Sequence, residues 1–220
     1  GQSASSTQGD ILVLTNSSVT NPTSVSHSFT NANDGSVSID TKTISYFGLE
    51  PVDDQLIAQD RTFTFTGGAE AISVTSSGSN LLIDSTLGES VTFPAPTSSL
   101  TITGSTGDTL SISTAVTVPT VALNVPTLTL SAPITASTAL TGTASVVNVN
   151  SGGRIQNGID AAATSATVNV GAGTYTDGTV TATVDNLTVV VPLGVTGFTG
   201  VTLGSSVTNG KITLAGTGAA

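Results

Sequence analysis

The residues able to do chemistry are few and scattered. His27 is the only histidine, and there is no cysteine. A multi-histidine metal centre and a cysteine nucleophile are therefore excluded, and any Ser–His–Asp relay would depend wholly on His27. His27 alternates with Val25 and Phe29 along Ser24–Phe29, so it shares their face. The expectation is a partly buried, hydrogen-bonded histidine. The densest acidic patch is Glu50, Asp53, Asp54 and Asp60. Paired carboxylates about 5–9.5 Å apart suit glycoside hydrolysis. Asp53 and Asp54 are also the candidate calcium ligands, because calcium takes about six to eight oxygens. Pro51 and the acidic run mark a solvated loop, which is the reading adopted, and no cofactor other than calcium enters it. Farther along, Asp160, Asp177, Asp185 and Lys211 would have to supply a lyase with its carboxylates and base, yet none is close in sequence to another. No catalytic residue is assigned.

The elements that would carry these residues are strands. Aliphatic or Ala residues recur every six positions at Leu110, Val116, Ala122, Leu128, Ile134, Leu140 and Val146. Such a period is neither helical nor a sustained alternation. It suits a chain that makes a short strand, bends and repeats, as in a β-solenoid, with these seven residues as its core. Pro119, Pro126 and Pro133 fall close to the same rhythm and should lie at bends, because proline cannot donate to a ladder. Asn33-Asp34-Gly35 reads as a hairpin turn. Thr62–Thr66 alternates strictly, with Phe63 and Phe65 on one face. Ile155, Ile159 and Ala162 follow helical spacing, which predicts one short helix over 154–163. Thr-x-Thr steps such as Thr179/Thr181/Thr183 read as exposed strand threonines, because the spacing between steps is too irregular for a flat ice-binding lattice.

These signals divide the chain into a polar tail (1–9), a β-rich, sandwich-like region (10–97), a Ser/Thr/Val-rich solenoid segment (98–150) and a second solenoid segment holding the helix (151–220). The predicted class is all-β.

Composition narrows the function classes. Charged residues are 8% and the net charge is −10, with only four Lys and Arg. Binding nucleic acid needs clustered cations to displace phosphate counterions, so it is excluded as a partner, as is attraction to anionic lipid. No apolar run approaches the roughly 18 residues that span a bilayer. There is no Met, so Gly1 is expected to be a processed N-terminus or a fragment boundary, and a removed signal peptide fits.

Ile155-Gln156, Ile159-Asp160-Ala161-Ala162, Thr167-Val168-Asn169-Val170, Gly171-Ala172-Gly173-Thr174-Tyr175 and Leu187–Val191 together resemble the opening of a pectin-lyase-like right-handed parallel β-helix domain. The resemblance covers 155–191 and implies a fold in which a short helix plugs the first coil. It implies no particular activity, because such domains include lyases, hydrolases, phage tailspikes and non-catalytic adhesins. Residues 98–146 are similar in texture to the shafts of filamentous-haemagglutinin-like exoproteins.

The expected function is a non-enzymatic structural subunit of an extracellular filament, sheath or adhesive appendage at the cell surface. Its partner is a second copy of itself, through open strand edges or through N-terminal strand donation anchored by Ile11, Leu12, Val13 and Leu14. The alternative is a phage tail-fibre or adhesin module that binds surface glycans, which would place it on a virion. A polysaccharide lyase or hydrolase on the same fold ranks third.

Overall fold

The computed structural model describes residues 10–16, 20–207 and 213–217. The polar tail expected over 1–9, and Lys211, lie outside these residues. The described chain is all-β with one short helix. In chain order the first strands are β1 (Asp10–Leu14), β2 (Ser24–Asn31), β3 (Asp34–Ile39), β4 (Lys42–Phe47), β5 (Leu49–Asp54), β6 (Asp60–Phe65), β7 (Ala71–Ser77), β8 (Asn80–Ser85) and β9 (Val91–Phe93). Then follow β10 (Ser99–Thr103), β11 (Thr109–Ile112), β12 (Val116–Thr117), β13 (Thr120–Asn124), β14 (Thr127–Leu130), β15 (Ile134–Thr135), β16 (Ala139–Gly142) and β17 (Ala144–Val149). Helix α1 (Ile155–Asp160) precedes β18 (Ala162–Val170), β19 (Gly173–Ala182), β20 (Thr188–Pro192), β21 (Val195–Leu203) and β22 (Thr213–Thr217).

Two large sheets share one core. The first runs β1-β5-β9-β8-β7-β11-β14-β17-β18-β20-β22, and the second β16-β13-β10-β6-β2-β3-β4. Parallel pairing dominates, with antiparallel hairpins only at β2–β3–β4 and β7–β8–β9. Two further parallel ladders, the short β12–β15 and the longer β19–β21, stand apart from these sheets. The boundary expected near residue 97 is no break, because β10 pairs with β6 on one side and β13 on the other. The 10–97 region contributes strands to the same two sheets as the rest.

The six-residue rhythm has a structural meaning in part of its length. Leu110 sits opposite Leu128, Leu128 opposite Val147, and Val116 opposite Ile134. Like side chains thus stack across levels, and each fully buried Val or Leu contributes about 1.5–3 kcal/mol. Leu110, Val116, Leu128 and Ile134 are buried. Ala122 is not, because Val121 and Leu123 take the inward positions of β13. After Val116 the buried residues are Val118 and then Val121, so the inward set passes from even to odd positions as the chain rounds the Pro119 corner. Leu140 opposes Val121 and is half-buried. Val146 is also half-buried, beside a register shift in β17, and Val147 points inward in its place. Pro119, Pro126 and Pro133 do fall between strands. Their carbonyls accept from Thr138, Ser145 and Val116 of adjacent levels at 2.8, 3.0 and 3.1 Å.

Other expectations shift. Asp34 and Gly35 lie within β3, so the hairpin turns at Ala32-Asn33 instead, and the Asp34 carboxylate ties Asn31 and the Gly48 N–H at 2.8 and 3.0 Å. Pro51 is inside β5, not in a loop. It sits where the β1–β5 register slips between Asp10/Leu49 and Leu12/Val52, so its missing N–H costs the ladder nothing. The helix is shorter than 154–163, and Ala162 is buried at the start of β18. Among the described residues no helix is long and apolar enough to cross a membrane.

Candidate functional site

His27, the one histidine, sits in the middle of β2, and Asp54 ends β5, so they come from different sheets. The His27 Nε2–H donates to Asp54 Oδ2 at 2.9 Å. A carboxylate only accepts, so the hydrogen bond fixes the Nε2–H tautomer. Arg61, one level along on β6, donates through Nη1 to the same Asp54 oxygen and through Nη2 to Leu56 O at 2.7 Å. The Leu56 N–H closes the loop onto Asp54 Oδ1 at 2.9 Å. All three side chains are fully buried. Phe rings surround them: Phe63 stacks on His27 at 5.2 Å between centroids, and Arg61 lies 5.1 Å over the Phe93 ring.

Electrostatics follows from that burial. Burial pushes the His27 pKa down and outweighs the opposing pull of the Asp54 hydrogen bond and charge. Burial acts to raise Asp54, yet the His27 hydrogen bond and the Arg61 charge hold it below the ordinary aspartate range. The result is neutral His, ionised Asp and charged Arg. His27 Nδ1 and Arg61 Nε have no hydrogen-bond partner. The group resembles a relay in composition, but it is enclosed by core side chains and no substrate atom can reach it.

The acidic patch is thereby reassigned. Asp54 is no calcium ligand in a solvated loop, because His27 and Arg61 occupy it. Asp53, half-buried on β5, accepts from Gln55 Nε2 at 2.7 Å. Asp60 accepts from Ser99 Oγ at 2.6 Å. Among the described residues no three His, Asp or Glu side chains gather as a metal site.

The second cluster surrounds α1. Asp177 on β19 accepts from the Ile155 and Gln156 N–H groups at 3.0 and 3.2 Å, supplying the cap that Arg154 does not. Gln156 pairs with the Thr181 backbone through both ends of its amide, at 2.7 and 2.9 Å, and reaches Asp160 at 2.8 Å. Asn157 accepts the Ile134 N–H at 2.9 Å. The helix thus satisfies strand-edge groups of β15 and β19 with side-chain amides. Asp160 and Asp177, unrelated in sequence, come to opposite ends of this helix. Burial raises the Asp160 pKa against the Gln156 hydrogen bond. Beside the helix, Thr135, Thr138, Leu140, Arg154, Asn157 and Asp160 line an open cleft of about 470 Å³. Neighbouring rungs on β19 and β21 bond hydroxyl to hydroxyl, Thr179 to Thr199 at 2.8 Å and Thr174 to Thr196 at 3.0 Å.

The N-terminal anchor lies within the chain's own sheet. Ile11–Leu14 pairs in parallel with β5, which leaves Leu14 buried and Ile11 and Val13 exposed at 53% and 45%. On β4, the edge of the second sheet at the same end, Ile44 and Phe47 are exposed at 41% and 78%.

No protein-family model, curated protein or solved structure matches this chain.

Proposed function

We propose that the chain is a non-enzymatic structural subunit of an extracellular, self-assembling filament, sheath or adhesive appendage. Its parallel part would be a β-solenoid resembling the pectin-lyase-like β-helices. One observation carries this reading: β1 and β4 are edge strands at one end of the two sheets, and each exposes large aliphatic or aromatic side chains. Such edges are usually blunted by charge, proline or a covering element, because they template pairing with another chain. Toward the opposite end, among the described residues, β22 is the outermost strand of the first sheet, β21 is an edge of its own ladder, and Leu203 is exposed at 58%. The two ends differ, so contact between them would be heterologous, and it would give a filament where the rotation between copies does not close a ring.

Electron microscopy of the purified chain at neutral pH tests this, beside the Val13→Lys/Ile44→Lys variant. Ordered filaments from the parent chain, lost in a variant whose circular dichroism stays β-rich, are the expected result. Monomers from the parent chain would reject the reading. Deleting residues 1–14 is a poorer test, because it removes a strand of the sheet itself.

The cleft beside α1 favours a second reading as an adhesin or fibre module that binds surface glycans. Arg154, Asn157 and Asp160 offer donors and acceptors of the kind that hold sugar hydroxyls. Binding on a glycan array that Asp160→Ala removes would favour it.

A further inference from the structure

Glu70 and Asp108 are two buried carboxylates that neither reading uses. Asp108 is fully buried and Glu70 is exposed by only 5%. Their loops lie on adjacent levels of the fold. The Glu70 N–H donates to Asp108 Oδ1 at 3.0 Å, the Ser105 N–H donates to Asp108 Oδ2, and the Thr109 N–H returns to Glu70 O at 2.9 Å. Burial first, and the nearby Asp108 charge in addition, raise the Glu70 pKa. The Ser85 hydroxyl and the Leu87 N–H donate to the Glu70 carboxylate, and Ser85 Oγ accepts from the Gly88 N–H at 2.7 Å. Backbone closes over both groups: a Cβ at Gly67 would stand 3.3 Å from Glu70 Oε1, and one at Gly104 would stand 2.7 Å from Asp108 Oδ2.

Two observations then need a common cause. Glu70 Oε2 is buried and has no hydrogen-bond partner. The ion pairs seen among the described residues are on Asp54, and none involves Glu70 or Asp108. A buried carboxylate is ordinarily paired, protonated or metal-bound. We propose that Glu70 and Asp108 together hold a divalent cation of the calcium type, between the loop that precedes β7 and the loop that precedes β11. Carboxylate and hydroxyl oxygens with no histidine or thiolate nearby form a hard donor set, which selects calcium or magnesium over transition metals. Two carboxylates and the Ser85 hydroxyl leave the remaining positions to water and backbone carbonyls. Calcium tolerates such irregular sites better than magnesium does. The cation would pin successive levels of the sheets together near their middle, independently of any end-to-end assembly.

Isothermal titration of the purified, metal-stripped chain with calcium chloride tests the site, together with thermal unfolding. The expected result is one saturable site and a rise of about 3–5 °C in Tm at roughly ten times Kd, with magnesium weaker. Glu70→Gln should abolish the binding heat and the calcium-dependent rise. Without calcium its Tm should equal or exceed that of the parent chain, because a buried unpaired charge has gone. Absence of binding heat at millimolar calcium, or a calcium effect that survives in Glu70→Gln, would overturn the proposal. Glu70→Asp separates charge from reach, and a weakened but detectable site is expected there.

Discussion

His27 and Asp54 meet across the two large sheets, with Nε2 of one 2.9 Å from Oδ2 of the other, and Arg61 closes on the same carboxylate oxygen. Because β2 and β6 belong to one sheet and β5 to the other, this contact joins the sheets at the end that carries β1 and β4. A neutral imidazole with an unpartnered Nδ1 is compatible with that burial. An imidazolium is not, because its second N–H would be an orphaned buried donor.

Acid should therefore destabilise the fold in a specific window. His27 has a lowered pKa in the folded state, so below about pH 6.5 the unfolded chain takes up a proton that the folded chain refuses. Stability falls as pH drops through that range, by about 1.4 kcal/mol per pH unit for one proton. Asp54, whose folded pKa is also lowered, adds a second loss at more acid pH, below the ordinary aspartate range. Glu70 acts with the opposite sign, because its folded pKa is raised. Urea unfolding of His27→Gln beside the parent chain from about pH 7.5 to 5 isolates the histidine. The parent should lose stability more steeply, and parallel curves would show that His27 does not titrate as described.

Asp54→Asn should cost about 3–5 kcal/mol, because it leaves the Arg61 guanidinium buried without its counter-charge. Replacing all three residues together with apolar side chains of similar volume should cost far less than that single change. Denaturant midpoints at neutral pH decide it. A triple variant no more stable than Asp54→Asn would show that the cluster serves packing more than charge balance.

Around α1, Asn157→Ala should be more damaging than Gln156→Ala. Asn157 satisfies a buried Ile134 N–H, whose loss of a partner costs about 1–3 kcal/mol. Gln156 bonds the Thr181 backbone where water can replace it, so about 0.5–1 kcal/mol is expected. Chemical unfolding of both variants checks the order, and the reverse ranking would mean that the amide on β19 holds the helix in place.

Gly197 has a φ of +75°, and a Cβ there would run into the Tyr175 carbonyl. Gly197→Ala should thus loosen the β19–β21 ladder while the sheets before α1 persist. Hydrogen exchange is the direct readout. Protection should fall for residues 173–203 and stay unchanged for 99–149, whereas uniform loss would show one cooperative unit throughout.

Much of the architecture was legible locally. Alternation in Thr62–Thr66 put Phe63 and Phe65 on one face, which is the buried one, helical spacing marked α1 to within a few residues, and the three prolines marked corners. These are short-range signals: a strand's two-residue period, a helix's face and a missing N–H are written in neighbouring residues. The rhythm from Leu110 to Val146 failed at Ala122 for the same reason. An odd step between Val118 and Val121 reverses which side chain faces inward, and only the corner's geometry sets that count.

What the sequence determined by itself was the all-β class, the Val, Leu and Ile core, and the absence of thiol or multi-histidine chemistry. Tertiary structure alone decided the partners. Acids near Pro51 read as a solvated loop, since a carboxylate is costly to bury until a histidine 27 residues earlier and an arginine seven residues later arrive to satisfy it. The pairing of Ile11–Leu14 with β5, the junction of Glu70 with Asp108 and the grip of Gln156 on Thr181 are likewise choices among distant strands. Parallel pairing joins segments separated by whole turns of chain, and local pattern constrains which face a residue takes but not which strand it meets.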